Sequence, residues 1–171
     1  MGEAWRIAPL ADDDIAAVIE LAEIIWRHHF SDMISMEQIE HMLARRYTPA
    51  IIRAQMHRAD AWWDKALADG RLIGFAQYEL QLRGQHAPAM KLNQIYVHQA
   101  CQRRGYGGHL LAHVEQRALG QGCGAVRLNV NRHNIKAIAA YRKYGYVTVE
   151  AAVADIGGGF VTDDYVMEKK L

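Results

Sequence analysis

A glycine-rich loop with two arginines offers the clearest chemistry in this 171-residue chain. The stretch 102–108 reads Gln-Arg-Arg-Gly-Tyr-Gly-Gly, and the helix that we predict to start near Tyr106 has no Ser, Thr, Asp or Asn as its N-cap. Its first N–H groups therefore have no side-chain acceptor, and the glycines let an outside group approach the backbone closely. Because the N-terminal end of a helix favours negative charge, the loop predicts a phosphate site, with Arg103 and Arg104 adding positive charge beside it.

A second group of polar residues falls on one face of the last predicted helix. Asn134, Ala137 and Tyr141 are spaced i, i+3 and i+7, so the helix presents a carboxamide, a methyl group and a phenol in a row. Each has an ordinary structural role as well, since Asn134 suits a helix cap and Tyr141 suits a half-buried aromatic position. We expect the core face of this helix to consist of Ile135, Ile138 and Ala139.

Other uses of a basic, glycine-rich loop fit this stretch less well. A dinucleotide fingerprint needs a third glycine where Leu110 stands, and a P-loop needs a Gly-Lys-Ser/Thr sequence that does not follow here. A nucleic-acid site would have aromatic residues among the basic ones or a recognition helix, and the sequence has neither pattern. A plain strand-to-helix turn remains the structural alternative for the loop.

The elements that must position these residues follow from hydrophobic periodicity and turn residues. We predict helices from 12 to about 29, from 36 to about 47, on to 57 after Pro49, from about 106 to Gly120, and at 135–144. We predict strands at 5–9, 62–68, 72–82, 90–97, 126–130, 146–155 and 165–170. An antiparallel meander followed by strand–helix–strand–helix indicates a mixed sheet with helices on its faces. The sequence has no repeat and no linker, so we expect one domain over residues 1–171.

Composition excludes several classes of protein. With 51% hydrophobic and 23% charged residues the chain is not disordered, and no apolar run approaches the roughly 20 residues of a membrane helix. Residues 1–10 lack the pattern of a secretory signal. Cys101 and Cys123 cannot by themselves form a four-ligand zinc site and read as free thiols, so we expect a cytoplasmic protein without a metal.

The net charge of +1 hides an uneven distribution. Residues 98–146 carry eight basic residues and one acidic residue, a balance of +7, whereas the remainder of the chain carries −6. Such a division indicates two differently charged ligands, although an uneven solvated surface would give the same count.

Together the loop and the last helix resemble the two signature motifs of the GNAT superfamily of N-acetyltransferases, small bacterial type. The first motif, Gln/Arg-x-x-Gly-x-Gly/Ala, is matched by Gln102, Gly105 and Gly107. The second, Asn-x-x-Ala-x-x-x-Tyr-x-Lys-x-Gly-Phe/Tyr, is filled at every fixed position, by Asn134, Ala137, Tyr141, Lys143, Gly145 and Tyr146. The segment 92–97 resembles the family's central fourth strand, and the motif match covers about residues 90–146.

The resemblance implies an α/β fold: a mixed, mostly antiparallel central sheet, splayed between strands 4 and 5 and flanked by helices, known as the acyl-CoA N-acyltransferase fold. It also implies a co-substrate, acetyl-CoA, whose pantetheine arm would pair with backbone groups of Val97 and His98. The pyrophosphate would lie against Arg103, Arg104, Gly105, Tyr106, Gly107 and Gly108. Asn134 would hydrogen-bond the cofactor, Ala137 would leave room for it, and Tyr141 would lie near the thioester sulfur. Lys143 or Arg142 would reach the 3′-phosphate.

The reaction implied by the resemblance is direct acetyl transfer to an amine, without an acyl-enzyme. The amine must first lose a proton, a backbone N–H of Val97 or His98 would stabilise the carbonyl oxygen, and Tyr141 would protonate the departing thiolate. The general base stays unassigned, because Lys91, Asn93 and Gln94 stand where some family members carry a glutamate. Further candidates for the base, each with an ordinary surface role as its alternative, are Glu79, His28 and His29.

The acceptor and the partners follow from the resemblance only in outline. We expect a small-molecule or peptide amine, with a cationic one favoured by the −6 remainder, and we expect neither nucleic acid nor membrane as a partner. The residues that the family would place near the acceptor are Trp26, His29, Phe30, Met33, Tyr47 and Tyr78. A homodimer through the last strands is a further expectation. The alternative function is a non-catalytic, CoA-binding regulatory module on the same fold.

Overall fold

The computed structural model describes residues 4–171 as seven strands, five α-helices and two short 3₁₀ turns. The strands are β1 Trp5–Pro9, β2 Ala61–Ala68, β3 Arg71–Arg83, β4 His86–Val97, β5 Ala125–Asn131, β6 Val147–Gly157 and β7 Phe160–Lys170. The α-helices are α1 Ile15–His29, α2 Met36–Arg46, α3 Pro49–Met56, α4 Tyr106–Gly120 and α5 Ile135–Lys143. Residues 1–3, which belong to the segment analysed for a secretory signal, lie outside the described residues.

The strands form one seven-stranded sheet in the order β1-β2-β3-β4-β5-β7-β6. The pairs β1–β2, β2–β3, β5–β7 and β6–β7 are antiparallel, whereas β4 and β5 are parallel. The ladder between β4 and β5 ends at Leu92 opposite Leu128, although β4 continues to Val97 and β5 to Asn131. The predicted mixed, mostly antiparallel sheet with flanking helices is therefore confirmed.

The chain divides into two compact units. The first contains the residues up to Glu79 together with Gln94–Ala112, and the second contains Leu80–Asn93 and His113–Leu171. The assignment of residues 1–171 to one domain remains a prediction. Within residues 4–171, no helix is long and apolar enough to cross a membrane.

In the first unit, the apolar face of α1 packs among aromatic rings of the sheet and of the segment after α2. Trp26 is 1% exposed and its indole Nε1 donates a hydrogen bond to the hydroxyl of Tyr47 at 3.1 Å. The ring of Trp26 also contacts the ring of Tyr96 on β4, with centroids 5.9 Å apart. The turn between β2 and β3 forms as predicted, because Asp69 and Gly70 both take the positive φ that a two-residue hairpin turn requires.

In the second unit, the buried face of α5 differs from the prediction. Ile138 is buried as expected, but Ile135 is 70% exposed and Ala139 is exposed as well. The buried or half-buried face of α5 instead contains Asn134, Ala137, Ile138 and Tyr141. The prediction failed because a nine-residue helix buries only one narrow stripe, and hydrophobicity alone did not identify which stripe that is.

Strands β4 and β7 are longer than the strands predicted from apolar periodicity. β4 begins at His86 rather than at residue 90, and β7 begins at Phe160 rather than at residue 165. In both places a tight turn with glycine at positive φ, at Gly84 and at Gly157–Gly159, starts the hairpin early. The added residues, His-Ala-Pro-Ala in β4 and Phe-Val-Thr-Asp-Asp in β7, do not alternate between large apolar and polar side chains, so apolar periodicity does not detect them.

Candidate active site

The loop 102–108 has an unusual backbone at two positions. Arg103 has φ +62° and Gly105 has φ +87°, both in the left-handed region that residues other than glycine rarely adopt. Left-handed residues within a turn aim successive N–H groups into a shared concavity, which binds anions. The side chain of Gln102 donates from Nε2 to the carbonyl oxygen of Val97 at 3.2 Å and ties the loop to the end of β4.

The start of α4 leaves backbone donors exposed to an outside group. The carbonyl of Gly105 accepts the first helical hydrogen bond, from the N–H of His109 at 3.0 Å, so Gly105 is the N-cap and has no side chain to accept from the next N–H groups. Apart from its chain neighbours and the nearby backbone of its own helix, a Cβ built on Gly107 would meet no atom of the described residues within 4 Å. The surface over the first turn of α4 is therefore open to a ligand.

Aromatic packing fixes this end of α4 to β1. Tyr106 is buried and its ring meets the ring of Trp5 edge to face, with centroids 6.2 Å apart. The centroid of the His109 ring lies 4.3 Å from the centroid of the same indole. Because these contacts fix the first turn, its N–H groups are held in place before any ligand arrives.

At the end of β4, the two candidate backbone donors, the N–H groups of Val97 and His98, point in different directions. The N–H of His98 donates to the carbonyl of Ile73 at 2.8 Å, and the carbonyl of His98 accepts from Cys101 at 2.8 Å. Successive N–H groups point to opposite sides of a strand, so the N–H of Val97 faces away from β3. Close packing against Gly74 maintains this geometry, since a Cβ at Gly74 would lie 2.6 Å from the carbonyl oxygen of Tyr96.

In the second unit, Asn134 forms the predicted cap. Its side-chain oxygen accepts from the N–H of Ala137 at 3.3 Å, and the residue is only 6% exposed. Tyr141 is half-buried, with its ring 5.8 Å from the ring of Tyr146. Arg142 and Lys143 lie in the last turn of the helix.

The two tyrosines of this region have different surroundings. Tyr146 is 1% exposed, and its hydroxyl donates to Glu115 at 3.1 Å while Lys169 reaches the other oxygen of Glu115 at 3.0 Å. Burial, followed by the charge and the hydrogen bond of Glu115, raises the pKa of Tyr146 well above its usual value. The hydroxyl of Tyr146 is thus committed to a buried network.

The residues expected near the acceptor lie in the first unit. Trp26, Phe30 and Tyr96 contact one another, and the ring of His29 packs on Phe30 with centroids 4.7 Å apart. Burial raises the pKa of Tyr47, and the nearby Tyr96 adds to that effect, so its hydroxyl stays protonated. Met33 is half-buried and lies between α1 and α2 in the chain.

Sequence reasoning missed two buried polar residues of the central strands, Asp64 and Gln77. Tyr78 is fully buried and its hydroxyl donates to Asp64, so Tyr78 has a structural partner. Gln77 and Gln94 are also buried, and Oε1 of Gln94 has no hydrogen-bond partner within residues 4–171. The sequence does contain a signal for them, because each is a polar residue at a strand position where the side-chain alternation predicts an inward-facing residue.

The base candidates differ in availability. The Glu79 carboxylate accepts from the guanidinium of Arg58 at 2.9 Å, and Arg58 also pairs with Asp60. His28 is exposed, whereas His29 is half-buried. Among the described residues, no group of three or more His, Cys, Asp or Glu is arranged to hold a metal ion.

The structure therefore forms two groups of predicted site residues, one in each unit. The first unit holds Val97, His98, Arg103, Arg104, Gly105, Tyr106, Gly107 and Gly108. The second unit holds Asn134, Ala137, Tyr141 and Lys143.

Comparison with known proteins gives a consistent result. The sequence profile of the Acetyltransferase (GNAT) family matches residues 18–146. The spermidine N(1)-acetyltransferase of Thermoplasma acidophilum is 29% identical over 170 residues, covering 96% of each chain. The crystal structure of the PaiA N-acetyltransferase from the same organism, in complex with coenzyme A, superposes with a TM-score of 0.80 at 26% identity and covers 98% of this chain and 99% of that one.

A more distant structure supports the fold. A GCN5-related N-acetyltransferase from Rhodopseudomonas palustris has a TM-score of 0.80 at 22% identity, covering 100% of this chain and 99% of its own. The family profile spans well over half of the chain and includes both motifs. The chain belongs to the GNAT family of acetyltransferases.

Proposed function

We propose that this protein transfers the acetyl group of acetyl-CoA directly to a primary amine, on a small molecule such as a polyamine or on a peptide or protein. The observation that carries the proposal is the loop 102–108, whose left-handed backbone and glycine-capped helix present N–H groups to an anion. Membership of an acetyltransferase family makes the pyrophosphate of acetyl-CoA the anion of choice.

The residues proposed to bind the cofactor fall into three sets. Val97 and His98 end the strand that would pair with the pantetheine arm. The pyrophosphate set is Arg103, Arg104, Gly105, Tyr106, Gly107 and Gly108. The set on α5 is Asn134, Ala137, Tyr141 and Lys143. The assignments rest on the resemblance to the family, whose two motifs this sequence matches at each fixed position. No metal has a role in the proposed reaction.

The proposed chemistry needs three functions from the chain. The attacking amine must be neutral, since an ammonium has no lone pair. Val97 is the better candidate to stabilise the developing oxyanion, because the N–H of His98 is engaged with Ile73. Tyr141 would donate its hydroxyl proton to the departing thiolate of CoA. The base remains unassigned, and with Glu79 paired to Arg58, a water chain is an alternative to a single side chain.

The acceptor is proposed to be cationic. The chain outside residues 98–146 carries a charge of −6, which attracts a polyamine or a basic peptide over long range. A relative named for spermidine acetylation matches 96% of the chain, which supports the same class of acceptor. The protein is further proposed to be cytoplasmic, which its two free cysteines support, and to be a homodimer.

A second candidate function, a CoA-binding regulatory module without catalysis, is favoured by one observation. Lys91, Asn93 and Gln94 replace the glutamate of some family members, and Lys91 is itself engaged with Asn129. A thiol-release assay with acetyl-CoA distinguishes the two functions across polyamines, peptides, aminoglycosides and amino acids. Release of CoA thiol that depends on an amine supports the transferase. A rise in the melting temperature with CoA, but no thiol release with any amine of the panel, supports the module.

A further inference from the structure

A histidine that belongs to neither sequence motif lies against the loop 102–108. His109 is exposed on the first turn of α4, directly after Gly108. A Cβ built on Gly105 would lie 3.7 Å from both Nε2 and Cδ2 of the imidazole, so this edge of the ring faces the N-cap residue of the helix. The backbone N–H of His109 donates to the carbonyl of Gly105 at 3.0 Å, which fixes the point where the side chain leaves the helix.

The indole of Trp5 on β1 limits the freedom of this ring. The centroids of the indole and the imidazole are 4.3 Å apart and the ring planes are inclined by 32°, so the imidazole packs closely against the indole. The same indole meets the buried ring of Tyr106. A side chain that is already held in place loses little conformational entropy when it binds a ligand. The imidazole of His109 is therefore preorganised beside the loop.

The charges around the imidazole are mostly positive. Arg103 and Arg104 precede Gly105 in the loop, and the first turn of α4 carries the positive end of the helix dipole. The other charged or titratable groups on the segments that pack around the ring are Arg6 and Asp69 beside Trp5, and Tyr106 and His113 on α4. A pyrophosphate bound at the loop would supply the negative charge that favours a protonated imidazole.

We propose that His109 is a further ligand of the pyrophosphate of acetyl-CoA, and that its protonated ring binds the anion together with the N–H groups of the loop. Histidine is the side chain that changes its charge between about pH 5 and 8, so binding of the cofactor takes up a proton in this range. By linkage, the affinity for the cofactor is highest at low pH, where the ring is already charged, and falls as the ring loses its proton. This inference rests on the proposed use of acetyl-CoA and adds to it a residue outside both motifs and a dependence on pH.

Calorimetric titration of the natural protein with dephospho-CoA tests the proposal. This probe keeps the pyrophosphate but lacks the 3′-phosphate, whose second ionisation at about pH 6 would add a pH dependence of its own. We expect the Kd to rise about five-fold between pH 5.5 and pH 8, which is the contribution of one well-placed ion pair at an exposed site. His109→Gln should bind at both pH values about as weakly as the natural protein binds at pH 8. His109→Lys keeps its charge at both pH values and should bind tightly at both.

The matched control is His57→Gln, which makes the same change at an exposed histidine that follows α3 in the first unit. This control should keep the pH dependence of the natural protein. Equal Kd values of the natural protein at the two pH values would overturn the role of His109. A pH dependence that persists in either His109→Gln or His109→Lys would overturn it too, and in each of these cases the proposed use of acetyl-CoA still stands. If the natural protein binds neither dephospho-CoA nor acetyl-CoA at either pH, the use of acetyl-CoA is overturned together with the role of His109.

Discussion

Replacing Gly107 with glutamate should remove the binding of CoA without damaging the fold. Apart from its chain neighbours and its own helix backbone, a Cβ at Gly107 meets no atom of the described chain within 4 Å. The φ of Gly107 is not in the left-handed region, so the new side chain fits the free protein. Gly107 lies in the first turn of α4, where a carboxylate near the helix N-terminus contributes about 0.3–1 kcal/mol of stability. We therefore expect the unliganded variant to melt at or slightly above the temperature of the natural protein.

The effect of the ligand follows from linkage. A ligand at about 100 times its Kd stabilises the folded state by about 2.7 kcal/mol. For a chain of this size each kcal/mol raises Tm by about 2–4 °C, so acetyl-CoA should raise the Tm of the natural protein by about 5–10 °C. In Gly107→Glu the carboxylate would occupy the open surface over the N–H groups and repel the pyrophosphate, so the shift should vanish.

Differential scanning fluorimetry with and without acetyl-CoA measures both quantities. The matched control is Gly120→Glu, which makes the same change at the last residue of the same helix. Apart from its chain neighbours and its own helix backbone, a Cβ at Gly120 also meets no atom of residues 4–171 within 4 Å. This control should keep the full shift even though its carboxylate at the helix C-terminus costs about 0.3–1 kcal/mol. An undiminished shift in Gly107→Glu would refute the assignment of the loop to the pyrophosphate.

Three further predictions concern single side chains. Tyr141→Phe should lower kcat by about 10²–10⁴-fold while CoA binds as before, and an unchanged kcat in the thiol-release assay would remove Tyr141 from the role of acid. Gly74→Ala should cost about 1–3 kcal/mol in urea unfolding, because its Cβ would lie 2.6 Å from the backbone oxygen of Tyr96; an unchanged midpoint would show that β3 and β4 yield there. The raised pKa of Tyr146 means that, as pH rises past about 10, the unfolded chain loses a proton that the folded chain retains, so stability should fall. Tyr146→Phe should lose the bond to Glu115, costing about 0.5–1.5 kcal/mol at neutral pH, and should show a shallower alkaline fall; an equally steep fall would contradict the assignment.

Much of the fold could be predicted from local signals. The strand at Trp5–Pro9, the Ser35 cap of α2 and the Asp69-Gly70 turn each depend on a short stretch whose chemistry is written in its own residues. The glycine cap of α4 could also be inferred, since a missing side chain is visible in the sequence. The positive φ of Arg103 could not, because arginine has no preference for that conformation.

The parts that could not be predicted depend on contacts distant in sequence. Val97 could be preferred over His98 as the oxyanion donor only because the N–H of His98 is seen to bond to Ile73. That hydrogen bond depends on a strand register that the sequence does not fix. The role of Tyr146 likewise depends on Glu115, 31 residues away. The general base is undetermined for the same reason, since its availability depends on ion pairs such as that of Glu79 with Arg58.

The most direct test of the proposed reaction is to incubate the natural protein with acetyl-CoA and spermidine and to measure both products. We predict that free CoA thiol appears only when the amine is present, and that mass spectrometry finds one acetyl group added to the amine for each thiol released. Tyr141→Phe, at the same concentration, should bind CoA but release thiol far more slowly. If the protein binds CoA yet neither spermidine nor any amine of the panel is acetylated, direct transfer to an amine is contradicted and the regulatory module becomes the function that the structure supports.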